Sequence, residues 1–238
     1  MGESAGICIR DSHTIQCGGE AFTLRPDRAA FWGRAKTLIA ADLHLGKSET
    51  LAAAGMPIPP GVLASDLSRL EAAVTACKAE RLLILGDLLH APIGLTEGMI
   101  DQVAAWKRSL GIPWEIVPGN HDRKLELVRD AWSLKVHGSV LIENSVGFTH
   151  DPADAEQCPE LAGCAFVWSG HVHPVVRIRG FGDSLRLPAY IVAGRLGILP
   201  AFSRFTRGGP VHLDGGDAKA FAIAEGAVID VQKMFSAS

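Results

Sequence analysis

The stretch RLLILGDLLH, residues 81–90, decides the fold, because an uninterrupted apolar run ends there at an aspartate and a histidine. Such a run is typical of a strand buried on both faces, as in a sheet covered by helices. Two other stretches share this arrangement, TLIAADLHLG (37–46) and IPWEIVPGNHD (112–122). Together the three predict neighbouring strands whose polar residues lie just beyond the C-terminal ends.

The segments between these strands have apolar residues at helical spacing. Between residues 60 and 78 apolar side chains recur every three or four positions, and Pro60 suits the first turn of a helix. Residues 95–110 form a second predicted helix. Strands separated by helices of this length indicate βαβ units, so we predict an α/β fold with a largely parallel sheet.

The pattern changes after about residue 132. Short apolar segments then follow one another with few helices between them, from LKVHG (134–138) to AFAIAEGAVIDV (220–231). This succession predicts a second sheet packed on the first. No repeat, low-complexity segment or linker divides the chain, so we predict a single domain over residues 1–238.

Composition limits the classes of protein. The chain has 238 residues, 47% of them hydrophobic, and a formal net charge of −3, which excludes a strongly basic nucleic-acid-binding surface overall. No apolar stretch reaches the roughly 20 residues of a membrane span, and the start MGESAGICIR lacks the order of a secretory signal. Five cysteines without a CxxC pair argue against a disulfide framework and a cysteine-ligated zinc. We expect a cytoplasmic protein with no membrane partner.

Candidate metal ligands lie where the predicted strands end. The carboxyl ends of strands in an open α/β sheet form a crevice, so residues distant in sequence can converge there. Carboxylate, amide and imidazole groups without thiolate suit Mn²⁺, Fe or Zn²⁺ better than Ca²⁺ or Mg²⁺. Seven candidates are too many for one ion and predict two ions that share one aspartate. The candidates are Asp42, His44, Asp87, Asn120, His150, His171 and His173.

Each motif has a plainer explanation when it is taken alone. Asp and His after a strand are common in surface turns, and Asn and Gly in GNHD also suit a turn. The two histidines of GHVH (170–173) could face opposite sides of a sheet. Several such motifs, each directly after an apolar strand, would require independent coincidences, so together they indicate a metal site. His13, His137 and His212 match no motif and are expected to be exposed or locally hydrogen-bonded.

The ordered motifs DLH, GDLLH, GNHD, FTH and GHVH resemble those of the calcineurin-like metallophosphoesterase superfamily. The resemblance covers residues 42–173 and implies a two-sheet sandwich flanked by helices, with a di-metal site at the C-terminal ends of the strands. ADLHLGKSETLAAAGMPIPPG (41–61), LLILGDLLHA (82–91) and PGNHDR (118–123) further resemble the bacterial ligase-associated DNA damage response endonucleases. That likeness implies a DNA repair enzyme associated with a DNA ligase, a helicase and an exonuclease.

The resemblance also assigns the ligands to two ions, with Mn²⁺ favoured and Fe or Zn²⁺ as alternatives. Asp87 would bridge both ions. Because the histidines of GHVH are two positions apart, alternation along an extended segment and its turn would send them to different metals. The other six ligands form two sets: Asp42, His44 and His173 for the first metal, and Asn120, His150 and His171 for the second.

Two further residues are candidates for catalysis. Two divalent ions about 3.5–4 Å apart would generate hydroxide from a bridging water and neutralise a phosphate under in-line attack. The leaving oxygen needs a proton, and His121 is the candidate donor because it follows a ligand without being one. His90 stands where phosphoprotein phosphatases carry an aspartate, and a histidine there resembles the double-strand-break-repair nucleases. His90 could stack near His121 and contact a phosphodiester oxygen, or it could merely fill space. Asp122 either supports the site or caps a helix over residues 123–130.

The substrate class rests on local charge. Residues 174–210 contain six arginines and one aspartate, and this excess of positive charge could bind along a DNA backbone. A solvated strand face is the alternative. Arg204 and Arg207 in SRFTRGG (203–209), together with Lys47, are candidate phosphate-binding residues, and the intervening aromatic suits single-stranded bases. A hydrolase of small nucleotides or pyrophosphate-linked metabolites is the enzymatic alternative. A non-enzymatic scaffold would have lost ligands, whereas here every ligand position is filled.

Overall fold

Two β-sheets form the centre of the computed structural model, which describes residues 9–180, 183–206, 208–210 and 217–231. Seven strands make the first sheet and ten make the second. In chain order the strands are β1 (Ile9–Arg10), β2 (His13–Cys17), β3 (Glu20–Leu24), β4 (Ala30–Trp32), β5 (Thr37–Ala40), β6 (Arg81–Leu85), β7 (Trp114–Val117), β8 (Leu134–Val136), β9 (Val140–Glu143), β10 (Val146–Thr149), β11 (Phe166–Ser169), β12 (Pro174–Gly180), β13 (Asp183–Ala193), β14 (Leu196–Ile198), β15 (Gly209–Pro210), β16 (Lys219–Ala224) and β17 (Ala227–Asp230).

Helices connect the early strands; those predicted over residues 60–78 and 95–110 are present, whereas the helix at Lys47–Ala53 was not predicted. Among the described residues no helix is long and apolar enough to cross a membrane. The α-helices are α1 (Lys47–Ala53), α2 (Val62–Cys77), α3 (Glu97–Leu110) and α4 (Asp154–Gln157), and the 3₁₀ turns are Pro92–Gly94, Leu125–Leu127 and Pro159–Gly163.

The first sheet is mixed rather than largely parallel. Its order is β2-β3-β4-β5-β6-β7-β8, antiparallel from β2 to β5 and parallel from β5 to β8. Strands β2 to β4 were not predicted, although the Gly18-Gly19 pair between two short segments is a hairpin signature; both glycines have a positive φ, 59° and 78°. It also assigned residues 134–136 to the second sheet, whereas β8 pairs in parallel with β7.

The second sheet contains β1 and the remaining late strands, with the main order β1-β17-β16-β13-β14-β11-β10-β9; β12 lies off this path and pairs with β13 and β15. Strands β10, β11 and β14 are parallel neighbours. Strand β13 pairs through its first half with β12, and through its second half with β14 and β16. Residues 174–180 and 183–188 therefore form a ribbon beside the main sheet, and this ribbon begins directly after His173.

Successive residues of the central strands pack into different layers. On β6, Leu82 and Ile84 lie in the cluster that includes α2 and α3, whereas Leu83 and Leu85 lie in the cluster between the sheets, with Trp168. Burial on both faces explains why the decisive stretch is apolar without alternation. The predicted two-sheet α/β sandwich with flanking helices is confirmed.

Candidate metal centre

The ends of five strands bring the candidate ligands to one edge of the sandwich. Strands β5, β6 and β7 run in parallel in the first sheet, and β10 and β11 run in parallel in the second. Their C-terminal ends come together, so side chains up to 131 positions apart lie side by side. Asp42 and His44 follow β5, Asp87 follows β6, Asn120 follows β7, His150 follows β10, and His171 and His173 follow β11.

The backbone at this edge adopts a conformation that sequence analysis did not predict. Five of the seven candidate ligands have a positive φ, between 48° and 69°. Asp and His tolerate the left-handed region better than most residues, but it remains uncommon and is retained where the surroundings impose it. His171 and His173 therefore diverge through left-handed turns rather than along an extended segment. The five are Asp42, His44, Asp87, His171 and His173.

The first group of donor atoms joins Asp42, His44, Asp87 and His173, with all four atoms within 4.8 Å of one another. Nε2 of His173 lies 3.1 Å from Oδ1 of Asp42. Both ring nitrogens of His44 are buried without a hydrogen-bond partner among the described residues. Burial, followed by the charge of Lys47, lowers the pKa of His44 to about 2. A neutral imidazole with no partner and two adjacent carboxylates fits a divalent ion.

The second group joins Asp87, His150 and His171, again within 4.8 Å. Nε2 of His150 lies 3.0 Å from Nδ1 of His171 and 3.1 Å from Oδ1 of Asn120. Nδ1 of His150 donates to the carbonyl oxygen of Leu85 at 3.0 Å. Because a carbonyl only accepts, this bond holds the proton on Nδ1 and leaves Nε2 free as a ligand. Asp87 is common to both groups, the geometry expected of a bridging carboxylate.

His121 lies at the rim of both groups. Its backbone N–H donates to Oδ1 of Asp87 at 2.9 Å, and its Nε2 lies 3.9 Å from Oδ2 of the same side chain. Nδ1 donates to the carbonyl oxygen of His90 at 3.1 Å. The side chain is 42% exposed, so Nε2 can reach a substrate, which the buried ligands cannot do as easily. This is the placement that a proton donor to a leaving group requires.

His90 stacks on His121, with ring centroids 5.8 Å apart and 15° between the planes. The ring of His44 meets both of them edge-on at 5.5 Å. Burial, followed by the charge of Lys47, lowers the pKa of His90, which favours a neutral ring. His90 therefore holds His121 through both its ring and its carbonyl oxygen.

Asp122 ties two ligand-bearing loops together. Its Oδ1 accepts from the backbone N–H of Leu89 at 3.0 Å, and its Oδ2 accepts from that of Gly119 at 2.8 Å. The alternative role as an α-helix cap is wrong, because only a 3₁₀ turn at Leu125–Leu127 follows. Asp122 therefore supports the loops that carry Asp87 and Asn120.

Lys47, the first residue of α1, lies close to the site. It lines a small groove with His44, Ser203 and Phe205. Its charge is the second largest effect, after burial, on the pKa of both His44 and His90. Burial in turn lowers the pKa of Lys47 itself.

The arginines of residues 174–210 divide into different roles. Arg195 donates to the carbonyl oxygens of Leu161 and Ala155, so it stabilises a loop rather than facing a substrate. Arg204 is exposed on the segment after β14. A hydrogen bond attaches that segment to a candidate ligand: the backbone N–H of Ser203 donates to the carbonyl oxygen of Asp42 at 3.2 Å. Arg207 lies outside the described residues.

The unassigned histidines lie elsewhere. Nε2 of His137 lies 2.7 Å from Oε2 of the buried Glu115, a local hydrogen bond of the predicted kind. The ring of His13 packs on Phe221 with centroids 4.7 Å apart. His212 lies outside the described residues.

Gly119 is required by the close approach of two ligands. A Cβ atom at this position would lie 2.4 Å from Oδ1 of Asp87 and 2.9 Å from Nε2 of His150. We expect Gly119→Ala to displace both and to weaken metal binding by about 10–100-fold, as other disturbances of ligand orientation do. Metal content after dialysis measures the effect. Gly98→Ala is the control, because a Cβ atom there meets nothing within 4 Å; full metal content in Gly119→Ala would contradict the assignment.

Known proteins are similar to this chain. The profile of the calcineurin-like phosphoesterase family matches residues 35–155, half of the chain. The crystal structure of nuclease MPE from Pseudomonas putida is similar, with 27% identity, a TM-score of 0.77, and coverage of 92% of this chain and 99% of that one. A protein of unknown function from Aquifex aeolicus has 18% identity and a TM-score of 0.41, over 58% of this chain and 78% of its own. The search of curated proteins gave no match.

Proposed function

This chain belongs to the calcineurin-like phosphoesterase family, and we propose that it is a Mn²⁺-dependent nuclease that cuts single-stranded DNA during DNA repair. As a member of the family it is a di-metal phosphoesterase. The observation that supports the proposal is the convergence of two donor groups on one shared carboxylate, Asp87, with His121 beside them. The likeness to a solved nuclease over 92% of the chain supports phosphodiesters as substrates.

The residues of the site divide the catalytic work. Two divalent ions held by the two donor groups would supply an activated water and neutralise the charge of the phosphate. His121 then delivers a proton from Nε2 to the leaving oxygen, while its Nδ1 stays bonded to the carbonyl oxygen of His90. The stacked ring of His90 fixes the plane of His121, so the donated proton keeps its direction. No protein nucleophile is required.

The surface next to the candidate metal site supports single-stranded DNA as the substrate. Phe205 is 37% exposed on the segment that follows Ser203, and it lines the groove of Lys47. An exposed ring between positive charges offers a stacking surface for unpaired bases and contacts for backbone phosphates. We propose that Lys47, Arg204 and Arg207 bind those phosphates, and that the enzyme works in the cytoplasm with a DNA ligase, a helicase and an exonuclease.

A metal-by-substrate panel tests the proposed function. The purified protein, stripped of metal and reloaded with Mn²⁺, Zn²⁺ or Fe²⁺, is offered single-stranded DNA, duplex DNA, nucleoside diphosphates and bis-p-nitrophenyl phosphate. We expect cleavage of single-stranded DNA to be fastest with Mn²⁺. Efficient hydrolysis of the small nucleotides with no cut DNA under any metal would replace the proposed function with that of a nucleotide hydrolase.

Arg204 provides a test of phosphate binding. We expect Arg204→Gln to raise KM for single-stranded DNA. The slope of the logarithm of the DNA-binding constant against the logarithm of the salt concentration should become shallower by about 0.7, the value for one phosphate contact on a single strand. Glutamine is preferred to glutamate because Asp66 lies near Arg204, and a second acid would add repulsion. Arg108→Gln, which removes an exposed charge at the end of α3, is the matched control. Equal salt slopes in the two variants would exclude Arg204 as a phosphate contact.

A further inference from the structure

A cavity of about 370 Å³ opens directly beside the first donor group. His173, one of the candidate ligands, forms part of its wall, and the ribbon of β12 and β13 supplies Pro174, Val175 and Pro188. The segment after β14 closes another side with Ala201. This volume is at the lower end of the range for small-ligand sites, so it suits one small group rather than a duplex.

The cavity is positively charged. Arg28 and Arg186 line it, and no acidic side chain among the described residues does. Arg28 donates to the carbonyl oxygens of Ala201 and Ser203, the latter at 2.9 Å, and Arg186 donates to that of Gly208 at 2.7 Å. Each guanidinium has five N–H donors in a planar fork, so these bonds fix both groups and leave donors for an anion.

The strand register next to the cavity also points to an anion. Arg177 on β12 stands directly opposite Arg186 on β13 in the antiparallel register, so both lie on the same face of the ribbon. Like charges in this relationship repel each other. Neither arginine makes an ion pair with another described residue. An anion bound along this face would remove the repulsion.

We propose that this cavity binds the nucleotide next to the scissile phosphate, with the phosphate of that nucleotide on Arg28 and Arg186. The apolar wall of Pro174 and Pro188 would contact the sugar or the base. The inference rests on the proposed nuclease function, and it adds a subsite whose two arginines are 158 positions apart in the sequence. The strand would thus leave the metals along the ribbon, on the side of His173.

Arg186→Gln tests the subsite. Arg186 is exposed and donates to the carbonyl oxygen of Gly208, whereas the part-buried Arg28 donates to two carbonyl oxygens, those of Ala201 and Ser203, so Arg186 is the less disruptive residue to replace. We expect KM for a (dT)12 oligonucleotide to rise about 10-fold or more, the usual loss for a charge-assisted hydrogen bond. The kinetics with bis-p-nitrophenyl phosphate should stay unchanged, because this ester has no neighbouring nucleotide.

Titration calorimetry with the dinucleotide pdTpdT in EDTA measures the subsite without turnover. We expect binding to be about 10-fold weaker in Arg186→Gln than in the wild type or in Arg108→Gln, the control for general charge. Equal affinities and equal KM values in all three proteins would overturn the inference, even if the wild type cuts DNA. If the wild type binds pdTpdT through Arg186 but cuts no DNA, the subsite stands and the proposed nuclease function fails.

Discussion

Asp87→Ala is expected to release both metal ions and to abolish hydrolysis of every phosphate ester. The carboxylate of Asp87 is 3% exposed and belongs to both donor groups, so its removal leaves neither group complete. Oδ1 of Asp87 also accepts a hydrogen bond from the backbone N–H of His121 at 2.9 Å, and this N–H would lose its partner. Losing an outer partner of a ligand typically costs about 10–100-fold. Losing a shared ligand should cost more than this, because both ions lose a donor atom.

Metal content measured by mass spectrometry, together with activity on bis-p-nitrophenyl phosphate, checks this result. Asp87→Asn is the second variant, because it keeps the shape and an accepting oxygen while it loses the charge; it should fold normally and still bind less metal. His13→Ala, whose ring packs on Phe221 away from the site, is the control. Two retained metal equivalents and full activity in Asp87→Ala would show that Asp87 bridges nothing.

His121→Ala is expected to separate metal binding from proton transfer. The ring belongs to neither donor group, and its Nε2 lies 3.9 Å from Oδ2 of Asp87. The variant should therefore keep its metals and lose about 10²–10⁴-fold in kcat on single-stranded DNA, the range that general acids supply. A nitrophenolate leaves without needing a proton, so hydrolysis of bis-p-nitrophenyl phosphate should fall by much less.

The comparison of the two substrates distinguishes this role from others. Equal losses on DNA and on the nitrophenyl ester would mean that His121 orients the substrate or stabilises charge, and would exclude it as the proton donor. His90→Phe is the companion variant, because it keeps a stacking ring and the backbone carbonyl that accepts from His121. It should retain most of the activity if His90 acts by positioning His121, and lose it if His90 contacts the phosphodiester.

Much of the site could be predicted from the sequence because its signals are local. The apolar run of residues 82–85 indicates a strand buried on two faces, and the polar residue after it marks the strand end. Asp42, Asp87 and Asn120 each follow such a run, and parallel strands put their ends at one edge. These inferences need only the neighbours of each residue in the chain and the general rules of α/β sheets.

Other features depended on contacts between distant segments. Strand β8 resembles the late strands in sequence, yet it belongs to the first sheet, where it pairs in parallel with β7. The positive φ of His171 and His173 follows from the packing of their turn, where the N–H of His171 donates to the carboxylate of Asp42. No pattern near residue 171 predicts a bond across 129 positions.

The cavity beside the candidate metal centre shows the same contrast between local and long-range features most clearly. Arg186 was visible as one of six arginines in a basic stretch, but nothing near Arg28 marked it as a functional residue. Only the tertiary structure brings the two to one cavity and directs Arg195 to a loop instead. The sequence by itself therefore determined the strands, their polar ends and the chemistry of the ligands, since these depend on local periodicity and residue type. The structure decided which arginines face the site, because that depends on long-range pairing that local patterns do not encode.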